Sequence, residues 1–134
     1  MLKVLVAGGA GYIGSHTVHK LVQSGYDVTV IDDLSTGSKL SVPSNVHFHQ
    51  ANLLDIQAVR SVFEKKQFDA VFHFAAKLSV PESFIKFDEY VQTNVMGTFH
   101  LPRRDPARLP PRVCPAPPAP LSSPATGRRP PVAG

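Results

Sequence analysis

Val4-Leu5-Val6-Ala7-Gly8-Gly9-Ala10-Gly11-Tyr12-Ile13-Gly14 decides the reading of this 134-residue chain. The β-branched apolar run that opens it, Leu2 to Val6, predicts a strand buried on both faces and ended by glycines. Beyond the glycines, Ile13, Val18, Leu21 and Val22 recur at helical spacing, which predicts a helix over 12–24 with Gly25 as its stop. A Gly8-x-x-Gly11-x-x-Gly14 pattern set between a strand and a helix has a defined physical use. Gly8 permits the tight turn, Gly11 removes a Cβ where backbone must approach a pyrophosphate, and Gly14 lets helix and strand pack closely. The helix start then offers free N–H groups and a positive dipole end to phosphate.

Outward from that turn the elements alternate. Val28 to Ile31 predicts the second strand, ended by Asp32-Asp33. Asp32 follows Gly14 by 18 residues, the place where an acid accepts hydrogen bonds from an adenosine ribose. No arginine neighbours it to receive a 2′-phosphate, although Lys39 is not far off, so NAD is expected rather than NADP. A loop rich in Ser, Thr and Gly runs from Ser35 to Ser44. Val46 to His49 is a weaker third strand, and Ile56, Val59, Val62 and Phe63 mark a second helix with Asp55 as its N-cap. Ala70 to Phe74 is a fourth strand, and Glu82 to about Leu101 reads as helix. The fold class is therefore α/β. It is expected to be the N-terminal part of a Rossmann-type doubly wound parallel sheet of about four strands in the order 3-2-1-4.

Composition changes abruptly after Leu101. Of 13 prolines, 11 lie from Pro102 onward. Residues 1–101 carry 8 Lys/Arg against 9 Asp/Glu, whereas the rest carries 6 Arg against Asp105 alone. The net charge of +4 thus belongs to the tail, and the near-neutral body points to no nucleic-acid partner. Residues 1–101 are expected to form the NAD-binding half-domain. Residues 102–134 are expected to be a disordered Pro/Arg/Ala-rich tail, translated out of register from a GC-rich frame, which would leave an apolar edge open on strand four. The competing reading of the tail is a proline-rich arm in which Pro117-Pro118-Ala119-Pro120 docks a partner. The sole cysteine, Cys114, excludes an intrachain disulfide, and a reducing cytoplasm is expected. No apolar run reaches the ~18–20 residues of a membrane span, and Leu2–Val6 is too short for a signal peptide.

The glycine pattern, Asp32-Asp33-Leu34-Ser35-Thr36-Gly37 and His73-Phe74-Ala75-Ala76 together resemble the extended short-chain dehydrogenase/reductases. Within them the likeness is to the UDP-glucose 4-epimerases. It rests on Gly8 to His16, on Phe74-Ala75-Ala76-Lys77-Leu78-Ser79-Val80-Pro81-Glu82-Ser83, and on Tyr90 with Thr93-Asn94-Val95-Met96-Gly97-Thr98. The resemblance covers residues 1 to about 101. It implies an isomerase of nucleotide-sugar and galactose metabolism, with NAD as cofactor, a nucleotide sugar as substrate and frequent homodimers. It also implies that Tyr12 and Ile13 meet the pyrophosphate through backbone N–H groups and that Asp32 binds the ribose. Asp33, Leu34, Ser35, Thr36 and Gly37 would line that side. Asn52-Leu53 stands where the family has an acid and an apolar residue bracketing adenine; Asn52 would accept a bond from the adenine amino group without charge. Phe74, Ala75 and Ala76 would pass under the cofactor, Lys77 or Leu78 would lie near the nicotinamide ribose, and Thr93 stands at a cofactor-contacting position. Nucleotide-sugar dehydratases share the same front half.

The family's mechanism requires a Tyr-x-x-x-Lys pair, in which lysine lowers the tyrosine's pKa so that it removes the proton of the sugar 4-hydroxyl. Here Tyr12, Tyr26 and Tyr90 are followed four residues on by His16, Val30 and Asn94. No residue is assigned a catalytic role, and the chain is expected to be a truncated form inactive alone. The alternative is a standalone NAD-binding or interaction module with a proline-rich arm. His73 reads as a core histidine. His16, His19, His47 and His49 lack metal-like spacing, and Lys65-Lys66 reads as a solvated helix end.

Overall fold

The computed structural model describes residues 1–76, 80–101 and 112–115. Strand β1 (Lys3–Ala7) leads into helix α1 (Tyr12–Gln23), and β2 (Asp27–Asp32) follows. Next come a short 3-10 turn (Lys39–Ser41), β3 (His47–Gln50), α2 (Ile56–Lys65) and β4 (Ala70–His73). The chain continues through α3 (Val80–Ile85), α4 (Phe87–Val91), a π-helical turn (Gln92–Met96) and α5 (Gly97–His100). A last strand, β5, spans Arg112–Pro115. All strand pairings are parallel, in the order β3-β2-β1-β4-β5.

Side-chain alternation along β1 builds two cores at once. Val4 and Val6 turn to the face covered by α1, where they meet Val18, Val28 and Val30. Leu5 and Ala7 turn to the opposite face, where they meet Val59, Val62, Phe68, Val71 and Leu101. A strand with both faces covered needs apolar residues at every position. Leu5, Val6, Val30 and Val71 are wholly buried, each contributing about 1.5–3 kcal/mol relative to exposure.

The helix boundaries have local causes. Helix α1 ends at the Ser24 cap, and Gly25 takes φ +84° while donating its N–H to the Val22 carbonyl. Asp55 caps α2, its carboxylate accepting from the N–H groups of Gln57 and Ala58 at 3.1 Å. Three expectations need correction. Lys66 is no solvated helix end: its ammonium donates to Asp27 at 2.7 Å and to the Thr29 hydroxyl at 3.1 Å. Thr29 is wholly buried in β2, so its hydroxyl needs a partner, and the long lysine stem reaches it. The span expected to be helical from Glu82 to about Leu101 is helical but not one regular α-helix: it divides at Lys86 (φ −117°, ψ 44°) and continues through a π-turn.

The sheet also does not stop at β4. Val71 pairs with Val113 and His73 with Pro115 in the β4–β5 register, so the edge of β4 is paired. An open strand edge presents unpaired N–H and C=O groups that an extended segment can satisfy. Pro115 ends an edge strand, where its missing N–H costs least. The rest of the tail, 102–111 and 116–134, lies outside the described residues, as do Lys77 and Leu78. Among the described residues no helix is long and apolar enough to cross a membrane.

Candidate functional site

A cleft of about 730 Å³ opens at the carboxyl ends of β1, β2, β3 and β4, where parallel α/β sheets bind ligands. Its floor is the glycine turn. Gly8 has φ +79°, and a Cβ there would lie 2.5 Å from the Ala75 nitrogen. Only glycine allows both that conformation and the close passage of the chain leaving β4. Gly8 also donates its N–H to the Ile31 carbonyl at 2.9 Å, tying the turn to β2. Gly11 caps α1 without any side-chain hydrogen bond, and the first turn holds no acid. Among the described residues, then, no capping side chain competes for the N–H donors of the helix start.

Asp32 sits at the end of β2, buried, and both of its oxygens are engaged. Oδ2 accepts from the Ala10 N–H at 2.9 Å and Oδ1 from the Leu34 N–H at 2.8 Å. The acid thus shapes the glycine turn while lining the cleft. Leu34 does not line it. It takes the left-handed conformation, φ +61°, that lets its N–H reach Asp32, a turn in which an aspartate bonds its backbone two residues on. Asp33 repeats the device with Ser35 N–H at 2.9 Å. Gly37 likewise stands behind the cleft: a Cβ would lie 2.5 Å from Ala10 backbone atoms, and the neighbouring Ser38 N–H donates to the Ala10 carbonyl.

Of the expected residues, the cleft brings together Gly8 and Gly11 with Asp32, Asp33, Ser35 and Thr36 on one side. Asn52, Leu53, Phe74, Ala75, Ala76 and Thr93 complete it. Tyr12 and Ile13 are the first residues of α1, with side chains exposed by 84% and 57%. The role expected of them involves only their backbone N–H groups, which belong to the first turn of α1. Gly14 is buried against Gly8 rather than open to the cleft. The sequence reading missed Ile31, Ala51 and Leu54, which adjoin expected positions, and Glu82, Glu89, Tyr90 and Gln92, which come from α3, α4 and the π-turn. Tyr90 is buried and its hydroxyl donates to Glu82 at 3.0 Å. An apolar residue at a buried helical position was the available signal for it.

His73 ends β4, one residue before the cleft-lining Phe74. Its Nε2 donates to the Thr98 hydroxyl at 2.7 Å, and that hydroxyl in turn donates to the Asn94 carbonyl at 2.5 Å. Burial pushes the His73 pKa below its ordinary value, and among the described residues its enclosed Nδ1 has no partner. These are the properties of a neutral core histidine joining β4 to the helical segment. Among the described residues no group of three His, Cys, Asp or Glu side chains is placed to hold a metal.

Comparison with known proteins agrees with this architecture. The NAD dependent epimerase/dehydratase family matches residues 4–103. UDP-glucose 4-epimerase of Lactobacillus helveticus is 46% identical over 100 residues, spanning 75% of this chain and 30% of that protein. The Bacillus subtilis enzyme is 43% identical over 107 residues, 75% of this chain and 32% of its own. Among solved structures, Thermus thermophilus UDP-glucose 4-epimerase in complex with NAD superposes with a TM-score of 0.73 at 38% identity, covering 75% of this chain and 32% of that one. The chain spans about 30% of the length of the curated relatives it matches. It belongs to the NAD dependent epimerase/dehydratase family.

Proposed function

We propose that this chain is the NAD-binding part of a UDP-glucose 4-epimerase, the activity that interconverts UDP-glucose and UDP-galactose through a 4-keto sugar. The observation that carries the reading is the joining of Asp32 to the glycine turn at the mouth of a sheet-end cleft. The uncapped start of α1 takes the pyrophosphate. Asp32 and Asp33 take the adenosine ribose and disfavour a 2′-phosphate. Ala51 and Leu53 give the base an apolar wall, and Phe74 to Ala76 pass beneath the nicotinamide half. NAD, when bound, supplies the hydride acceptor. The division near residue 101 is supported by the family match, which ends at residue 103. No residue of this chain is given the proton-removing role, because no tyrosine here is followed by lysine four residues on. The reading is of a cytoplasmic protein that binds NAD and does not turn over UDP-glucose by itself.

Calorimetric titration of the 134-residue chain with NAD and with NADP tests this. Saturable binding of NAD, with NADP at least about tenfold weaker, is expected. Asp32→Ala should lose that binding, with circular dichroism reporting whether the fold survives. A chain with intact helical signal and no heat on NAD addition overturns the cofactor reading. Conversion of UDP-glucose by the chain alone overturns the inactive one.

A further inference from the structure

The helical wall of the cleft is firmly held at one end only. Glu82, Glu89 and Tyr90 reach the cleft from α3 and α4, and Gln92 and Thr93 from the π-turn. Beyond the π-turn the chain is anchored: Leu101 is wholly buried among core residues that include Leu5 and Val59, and the His100 ring donates to the Leu53 carbonyl. Before the π-turn, α3 and α4 pack chiefly on each other and on the π-turn itself. Phe84, Ile85 and Phe87 are exposed by 83%, 84% and 67%, and the chain leaves helical geometry between them at Lys86. Burial of these apolar side chains does not hold the arm in shape.

Glu82 spans the break instead. Its carbonyl accepts the Lys86 N–H at 2.9 Å, and the Lys86 carbonyl accepts the Tyr90 N–H at 3.2 Å. One carboxylate oxygen of Glu82 accepts the Tyr90 hydroxyl at 3.0 Å, and the other lies 3.4 Å from the Lys86 ammonium. Tyr90 is buried, and a buried phenol requires a partner for its O–H. Glu82 supplies that partner from the far side of the break. The lysine contact counts for less, because both side chains are half-exposed and such pairs contribute little.

We infer that Glu82 is a positioning residue: by holding the buried Tyr90 hydroxyl it sets the place of the α3–α4 wall, and with it the grip of the cleft on a dinucleotide. The inference rests on the NAD-binding reading. The hydrogen bond carries the effect rather than the charge. A glutamine oxygen at the same place still accepts the phenol, whereas alanine removes the acceptor.

The test is calorimetry of the full chain with NAD, beside thermal unfolding followed by circular dichroism. Glu82→Ala and Tyr90→Phe should each weaken NAD binding about tenfold. The double variant should lie within about threefold of either, because both changes break one bond. Glu82→Gln and Lys86→Met should stay within about threefold of the wild-type chain. A Glu82→Ala chain that loses thermal stability yet binds NAD like the wild type overturns the inference, since its role is then structural alone. So does a double variant whose losses add, or a Glu82→Gln chain as weak as Glu82→Ala. If Glu82→Ala does not fold, Tyr90→Phe keeps the buried ring and decides in its place, wild-type affinity again overturning the inference. A wild-type chain that does not bind NAD overturns the cofactor reading and the inference with it.

Discussion

Gly11→Ala separates the glycine turn's role in binding from its role in folding. Gly11 has φ −74° and ψ 174°, extended backbone open to any L-residue. An added Cβ would meet only the Gly8 carbonyl oxygen, at 3.5 Å, an ordinary contact. The fold should therefore lose no more than the difference between glycine and alanine at an N-cap, about 1 kcal/mol or less. For a domain of this size that lowers Tm by at most ~8 °C. Binding should suffer more. The methyl group occupies the space through which a phosphate reaches the first N–H groups of α1, and carbon keeps ~3.5–4 Å from its neighbours. Losing one hydrogen bond to a charged oxygen costs about 1.5–3 kcal/mol, a rise in Kd of roughly tenfold to 150-fold. Calorimetry with NAD gives the affinity and thermal unfolding followed by circular dichroism gives the stability. An affinity within twofold of the wild-type chain refutes the placement of phosphate at this turn. A Tm loss well beyond ~8 °C refutes the claim that the position is free in the protein itself.

Gly14→Ala should behave differently, since its Cβ would lie 2.0 Å from the Gly8 oxygen and 2.9 Å from the Gly8 carbonyl carbon. Helix propensity favours alanine by ~1 kcal/mol, but backbone atoms cannot rotate away, and overpacking of about 1–3 kcal/mol should prevail. A urea midpoint that rises instead counts against the packing described. Lys66→Met keeps the stem but removes the donor to buried Thr29, which should cost about 1–3 kcal/mol. Adding Thr29→Val should return part of that loss, and a double variant no better than Lys66→Met alone contradicts the pairing. His73 and His49 both have pKa values lowered, His73 by burial and His49 by burial first and then by Lys65, His47 and Lys66. The unfolded chain takes up protons near 6.5 where the folded one resists them, so stability is present above pH 6.5 and falls as pH drops below it. His73→Gln should flatten the fall in Tm between pH 7.5 and 5.5, leaving the His49 share. An unchanged slope would mean that His73 does not resist protonation.

The parts of the fold that were legible are those where one residue type answers one local demand. The β1–α1 turn is written in glycines because Gly8 and Gly14 stand where a Cβ would strike backbone, and Gly8 also takes a positive φ. The two cores are written in the unbroken apolar run of β1, and the α2 start in Asp55. The parts that were not legible depend on partners distant in sequence. Lys66 looks like any helix-end lysine until β2 brings Thr29 beneath it. Val113 and Cys114 are too few, among prolines and arginines, to announce a strand; the edge of β4 supplies the reason for it. The π-turn adds one residue to a helical repeat, which periodicity does not encode, and it lies directly after the α4 residues Glu89 and Tyr90 at the cleft.

Asp32 shows why sequence position and site role are hard to separate here. Its place at the end of β2 is what the proposed ribose contact rests on, yet both its oxygens already accept loop N–H groups. Each oxygen of a carboxylate carries a second acceptor site, so the ribose can still be held by the remaining lone pairs. The same carboxylate then fixes Ala10 in the glycine turn and Leu34 in its left-handed conformation. Replacing it removes the proposed cofactor contact together with two struts of the cleft wall. Loss of binding in Asp32→Ala is therefore necessary for the reading but does not by itself distinguish contact from scaffold. Gly11→Ala should distinguish them, because an added Cβ there meets only the Gly8 oxygen at ordinary distance while the approach to the helix start changes.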